Sequence, residues 1–261
     1  MGRDLLYKKF SEAQRGKKKI LAVYITAGFP SLNDTVCIVK ELAKNGVDIV
    51  ELGMPFSDPI ADGPVIQKTS TRALESGVKL KDLMKMCSEV KNEVNVPLLL
   101  MSYFNPILKY GIENLFRDAG NAGIDGFIIP DLPPEEGKEF YRMCKKLNFA
   151  TVLFLSPLTP PSRINLVDKL TTGFIYYISI TGITGSRIND LIEVVKKVKL
   201  IKEKVHHPVL VGFGISSADE ARNICSASDG IIVGSAFLRK VEEEGAERAV
   251  RWIKELAGSL Q

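Results

Sequence analysis

Eight short apolar runs, rich in β-branched residues, recur along the chain, and amphipathic stretches follow them. The runs are Ile20–Thr26, Asp48–Gly53, Pro97–Tyr103, Gly126–Pro130, Ala150–Leu155, Phe174–Ile180, Pro208–Gly212 and Asp229–Gly234. Their near-continuous hydrophobicity suits parallel strands covered on both faces. Helical periodicity marks Asn33–Asn45, Lys81–Val94, Pro134–Leu147, Ile188–Lys204 and Glu242–Leu256 between or after them. Eightfold strand–helix alternation predicts an α/β fold, a single (β/α)₈ TIM-barrel domain over residues 1–261. An open doubly wound sheet is the alternative architecture. Asp4–Gln14 reads as an extra N-terminal helix, placed to plug the bottom of the barrel.

Composition narrows the class without changing the fold. The 261 residues are 45% hydrophobic and 25% charged, enough for one large core, with a formal net charge of +4. The only basic cluster, Lys17–Lys19, reads as a solvated turn before the first strand, and no basic stripe with interleaved aromatics suggests nucleic acid. No apolar run reaches membrane-spanning length, and the N-terminal residues lack a signal-peptide core. Cys37, Cys87, Cys144 and Cys225 show no C-x-x-C spacing and read as buried thiols of a reducing, cytoplasmic compartment.

The most informative stretch is Glu51-Leu-Gly-Met-Pro-Phe-Ser-Asp-Pro-Ile-Ala-Asp-Gly-Pro64. Glu51 ends an apolar strand, where an ionised carboxylate is costly unless paired or protonated. Asp58 and Asp62 follow in a loop stiffened by Pro55, Pro59 and Pro64, since proline fixes φ. Chemistry in such barrels sits on the loops after the strands. That rule puts Glu51, Asp62, Asp131, residues 181–187, 212–216 and 234–235 on one functional face. The only histidines, His206 and His207, precede the seventh strand and fall on the opposite, stability face. No lysine lies within a strand and every cysteine falls in a helical segment, which argues against Schiff-base and thiol chemistry. Carboxylates and tyrosines remain for proton transfer, with a magnesium site at Glu51, Asp62 and Asp131 as a lesser alternative.

Thr181-Gly-Ile-Thr-Gly185, Gly212-Phe-Gly214 and Gly234-Ser235 follow the sixth, seventh and eighth strands. Glycines there let backbone N–H groups approach an anion, and a short helix starting at Ser235 would aim its positive end at it. The expected ligand has a phosphate at this side and a reacting centre near Glu51.

With Tyr24-Ile-Thr-Ala-Gly, the acidic loop, Pro130-Asp-Leu-Pro, Tyr176-Tyr-Ile-Ser-Ile-Thr-Gly-Ile-Thr-Gly, Gly212-Phe-Gly-Ile-Ser and Val233-Gly-Ser, the chain resembles the tryptophan synthase α-subunit family over its whole length. The resemblance implies cleavage of indole-3-glycerol phosphate to indole and glyceraldehyde 3-phosphate, without cofactor or metal. It implies a partner, a pyridoxal-phosphate-bearing β subunit in an α2β2 complex, that receives the indole. By the same resemblance Glu51 and Asp62 are catalytic, and Tyr176, Tyr24, Met101 and Tyr103 orient or wall the substrate. Thr184, Gly185, Phe213, Gly214, Gly234 and Ser235 hold the phosphate, and Pro55 and Asp58 couple the loop to the partner. Three alternatives stand: another phosphate-binding barrel enzyme, a weak barrel that chiefly activates its partner, and a stand-alone indole-releasing lyase.

Overall fold

A computed structural model describes residues 2–178, 187–212 and 214–260. Eight parallel strands close in sequence order: β1 (Ile20–Thr26), β2 (Ile49–Gly53), β3 (Leu98–Met101), β4 (Gly126–Ile128), β5 (Ala150–Leu155), β6 (Ile175–Ile178), β7 (Val209–Gly212) and β8 (Gly230–Val233), with β8 pairing β1. The helices are α1 (Arg3–Gly16), α2 (Leu32–Lys44), α3 (Pro64–Glu75), α4 (Leu80–Glu93), α5 (Phe104–Tyr110) and α6 (Ile112–Ala122) in the first half. The second half adds α7 (Lys138–Lys146), α8 (Pro161–Leu170), α9 (Arg187–Lys202), α10 (Ala218–Cys225), α11 (Ser235–Glu244) and α12 (Ala246–Gly258). The predicted (β/α)₈ barrel is what forms. The end of the sixth predicted run, residues 179–180, lies outside the described residues.

Alternation along each strand divides the core in two. Ile20, Ala22, Ile49, Leu99 and Ile128 fill the barrel interior, while the intervening residues pack under the helices. Helix α1 closes the bottom, as its sequence suggested: Leu6 is fully buried in the interior cluster, and the Phe10 ring lies 6.0 Å from that of Phe174.

Two expectations need correcting. Glu242–Leu256 is not one helical stretch, because Gly245, at φ 86°, ends α11 and opens α12 in a left-handed conformation that glycine adopts without strain. Cys37 is exposed, unlike Cys87, Cys144 and Cys225. Helix α2 buries Thr35, Val36, Ile38, Val39 and Leu42, and Cys37 falls on the other side of that stripe.

The N-terminal ends of the strands carry a repeated device. A polar residue entering each even-numbered strand accepts a hydrogen bond from the backbone N–H at the start of the preceding odd-numbered strand. Asp48 accepts from Leu21 (3.0 Å), Asp125 from Leu98 (2.9 Å), Thr172 from Thr151 (3.0 Å) and Asp229 from Val209 (2.8 Å). Lys91 and Lys202 add ion pairs of 2.6 Å to Asp125 and Asp229. His206 and His207 sit at this same end, each with Nδ1 on Asp168, at 2.8 and 2.9 Å. Burial pushes the Asp168 carboxyl up, but side-chain and backbone bonds from both histidines outweigh it and hold its pKa at about 2.

Candidate active site

Strand β2 carries Ile49 into the barrel interior, so alternation carries Glu51 there as well, one layer nearer the mouth. Glu51 is fully buried, between Tyr24 of β1 and Leu99 of β3 in register. Neither of its carboxyl oxygens has a hydrogen-bond partner among the described residues. Desolvation alone, with nothing to offset it, raises its pKa to about 8. This strand end therefore holds a neutral acid at pH 7.

Two glycines make room for the tyrosines around it. A Cβ at Gly53 would collide with the Tyr24 hydroxyl, and one at Gly212 with the ring and hydroxyl of Tyr176. Burial first, then the charges of Asp62 and Glu51, push both phenol pKa values up, so both remain protonated. No hydrogen bond joins Tyr176 to Glu51; the Tyr176 ring instead lies 5.0 Å from that of Phe154, its register partner on β5.

The acidic loop is pinned at both ends. At its start Met54 N–H donates to the Met101 carbonyl at 2.8 Å. Near its end Tyr103 donates from its hydroxyl to Asp62 Oδ2 at 3.0 Å and accepts from Ala61 N–H at 2.9 Å. Between them Ile60 N–H bonds the Asp58 carbonyl and Asp62 N–H the Pro59 carbonyl, so the three-proline sequence folds into tight turns. Burial raises the Asp62 pKa and the Tyr103 bond opposes the rise. Pro55 is buried in the loop and Asp58 is exposed, accepting from the Ser57 hydroxyl.

A cavity of about 210 Å³ opens at the barrel mouth, walled by Tyr24, Asp62, Met101, Phe154, Tyr176 and Ile178 and closed on the far side by Gly212, Gly214, Gly234 and Ser235. Glu51 lies beneath the lining, and Tyr103 stands behind Asp62 instead of in the wall. Phe154, Ile178, Pro130 and Ile232 also line it and went unnoticed in the sequence. Phe154 was detectable, since alternation from Ala150 and Val152 points it inward.

Gly234 caps α11, and no side chain satisfies that helix N-terminus. A Cβ on Gly214 would meet no atom within 4 Å, and one on Gly234 would reach only ordinary contact, 3.4 Å from Tyr24 Cβ. Packing against the described residues does not demand a glycine at either position. Thr184, Gly185 and Phe213 lie outside the described residues. Asp131 is occupied locally, accepting from Phe104 N–H at 2.8 Å, and no group of three or more His, Cys, Asp or Glu that could hold a metal occurs among the described residues.

Comparison with known proteins agrees with this geometry. The family model for the tryptophan synthase alpha chain matches residues 10–261. The alpha chain of Petrotoga mobilis is 42% identical over 255 residues, 97% of this chain and 98% of that one. The alpha subunit of Legionella pneumophila superposes with a TM-score of 0.92 at 32% identity, covering 100% of this chain and 98% of that one. A chain of tryptophan synthase from M. tuberculosis, in its aminoacrylate-bound form, gives 0.89 at 29% identity, covering 98% and 99%. With a family model spanning residues 10–261 and a relative 42% identical over 97% of the chain, this protein belongs to the tryptophan synthase alpha chain family.

Proposed function

We infer that the chain is a carbon–carbon lyase that cleaves indole-3-glycerol phosphate to indole and glyceraldehyde 3-phosphate, working as a single barrel domain, with Glu51 and Asp62 as its catalytic pair. The observation that carries this reading is Glu51, a fully buried carboxyl with no partner and a pKa near 8, set below a cavity whose rim offers a helix N-terminus. A group that is neutral at pH 7 and ionises with little cost suits a general acid that must next act as a base.

The chemistry balances on that one residue. Glu51 turns toward the cavity and gives its proton to indole C3, which makes the ring a cationic indolenine. Asp62, on the cavity wall and held by Tyr103, accepts a hydrogen bond from the indolenine N–H and offsets its charge. The Glu51 carboxylate then takes the proton of the adjacent hydroxyl. The carbon–carbon bond breaks, its electron pair restores the aromatic indole, and the carbon bearing the hydroxyl becomes the aldehyde. Tyr24, Met101, Phe154 and Tyr176 wall the indole. Ser235 and the glycines beside it receive the phosphate, which anchors the substrate across the mouth and sets C3 over Glu51.

The same proposal includes a β subunit docked on the catalytic face in an α2β2 complex, where it takes up the indole and uses its own pyridoxal phosphate. Supporting it, Ile60 (84% exposed) and Leu158 (81% exposed) stand bare on the loops after β2 and β5, around the mouth. Pro55 and Asp58, in the first of these loops, couple docking to catalysis in this reading. The setting proposed for this biosynthetic step is cytoplasmic. No helix among the described residues is long and apolar enough to cross a membrane.

The deciding assay is indole release from indole-3-glycerol phosphate, with and without a β subunit. The wild type should release indole, and do so faster with the partner. Asp62→Asn should lose at least about 10²-fold in either condition, because the developing cation loses its counter-charge. Equal rates with and without the partner would favour a stand-alone lyase. Unimpaired release by Asp62→Asn would remove that residue from the mechanism.

A further inference from the structure

A cavity larger than the one at the mouth lies elsewhere in the barrel. It lies at the opposite end of the barrel, with a volume of about 470 Å³, under the C-terminal turn of α1 and at the entry points of β1, β7 and β8. Its charged rim is assembled from distant parts of the sequence: Lys17, Lys18 and Lys19 after α1, Lys202 at the end of α9, and Asp229 before β8. The lining carries four lysines and one carboxylate, with Asp48 near Lys18 and Asp168 behind the histidines as the adjoining negative charges. Lys202 pairs with Asp229 at 2.6 Å, and Lys19 donates to the Ser228 carbonyl at 2.7 Å, so these two cations are fixed in place. No salt bridge among the described residues engages Lys17 or Lys18, although the Lys18 charge acts on the neighbouring Asp48 carboxyl. The remaining lining is largely apolar, with Phe10, Ala13, Ile20, Val205 and Pro208, and it includes both histidines.

We propose that this N-terminal face is a second ligand site, for a small organic phosphate whose apolar body packs on Phe10, Val205 and Pro208 while its phosphate lies among Lys17, Lys18, Lys19 and Lys202. The shape favours a small molecule over a macromolecule. The lysines surround a concavity of the size that takes small ligands, instead of forming a stripe along a flat face. The mixture of apolar floor and cationic rim favours an amphiphilic anion over a bare one. The site is separate from the mouth, since it lies at the other ends of the same strands that carry Gly212 and Gly234.

His206 and His207 supply a probe. They are the only histidines in the chain, and both line this cavity. Asp168, ionised at neutral pH, accepts from both Nδ1 atoms, so each Nδ1 carries a proton and the rings are held in place at the cavity.

The experiment follows the histidine ring signals by NMR as phenyl phosphate is added to the full chain. Saturable shifts of both ring signals are the expected result. The double variant Lys17→Gln/Lys18→Gln, at two exposed positions, should keep its fold and its basal activity and bind about tenfold more weakly. Inorganic phosphate should shift the same signals at higher concentration, because it lacks the apolar body. Histidine signals unmoved by about 10 mM phenyl phosphate would overturn the proposal, since that allows for affinities only in the millimolar range. So would equal affinity in the double variant, or shifts produced by a DNA oligonucleotide and not by phenyl phosphate.

Discussion

Buried carboxylates at the two ends of this barrel have opposite surroundings. Asp125, at the N-terminal end, is 1% exposed and Glu51, toward the mouth, 0% exposed, so burial does not distinguish them. Desolvation raises the pKa of each. For Asp125 the Lys91 ammonium and the backbone N–H groups of Leu98 and Gly2 oppose the rise, and for Glu51 nothing does. Asp48 and Asp229, half-buried at the feet of other strands, likewise accept a backbone N–H from the neighbouring strand. The satisfied carboxylates join neighbouring strands and hold the closed barrel together. The unsatisfied one costs stability and retains a proton that can be passed to a substrate.

Exchanging the carboxyl of Glu51 for an amide tests that contrast hardest. Glu51→Gln should lower indole release at least about 10²-fold, because the amide cannot transfer the proton. Its stability should move the other way. A carboxyl whose folded pKa of about 8 exceeds its unfolded value of 4.5 lowers wild-type stability progressively as pH rises between those values. Chemical denaturation should therefore find Glu51→Gln more stable than wild type by a few kcal/mol at about pH 8, with the gap closing toward pH 4.5. Wild-type activity that requires the protonated acid should fall as pH rises through about 8. A flat pH–rate profile across that range would separate Glu51 from the proton transfer.

Asp125→Ala should do the reverse. It strands the Lys91 ammonium and the Leu98 N–H, so stability should drop by roughly 3 kcal/mol. Turnover of the folded fraction should stay at the wild-type value. A loss of turnover greater than the loss of folded protein would show that the two ends are coupled.

At the rim, Gly234→Val has room to fold, since the nearest atom to a Cβ there is an ordinary 3.4 Å away. Its branches would occupy the proposed phosphate position, so KM should rise about tenfold or more while kcat changes little. An unchanged KM would reduce this glycine to a turn residue.

The smallest effect is expected from Tyr103→Phe, which leaves both Asp62 and Glu51 in place. It removes the hydroxyl that holds Asp62 Oδ2 and Ala61 N–H, two bonds of about 1 kcal/mol each. Indole release should fall a few-fold, with Asp62 less firmly aimed. A loss as large as that of Asp62→Asn would make Tyr103 a direct participant.

Local order along the chain was enough to determine the barrel and its polarity. Alternating strand and helix patterns and the plug helix at the N-terminus are properties of short segments, and the loops after the strands follow from chain direction. Glu51 stood out for the same reason, as a carboxylate inside an apolar run whose neighbours are adjacent in sequence. Tertiary structure decided what depends on distant groups meeting. Tyr103 reads as a pocket wall beside β3, yet the fold sets its hydroxyl on the acidic loop 41 residues earlier. Lys17–Lys19 reads as a solvated turn, and only barrel closure brings Lys202, His206 and His207 beside it. Cys37 lies beside buried neighbours in α2, and the helix's placement on the barrel turns its side chain to solvent. Even the state of Glu51 belongs to this second group, because its raised pKa comes from the partners that the closed barrel leaves out.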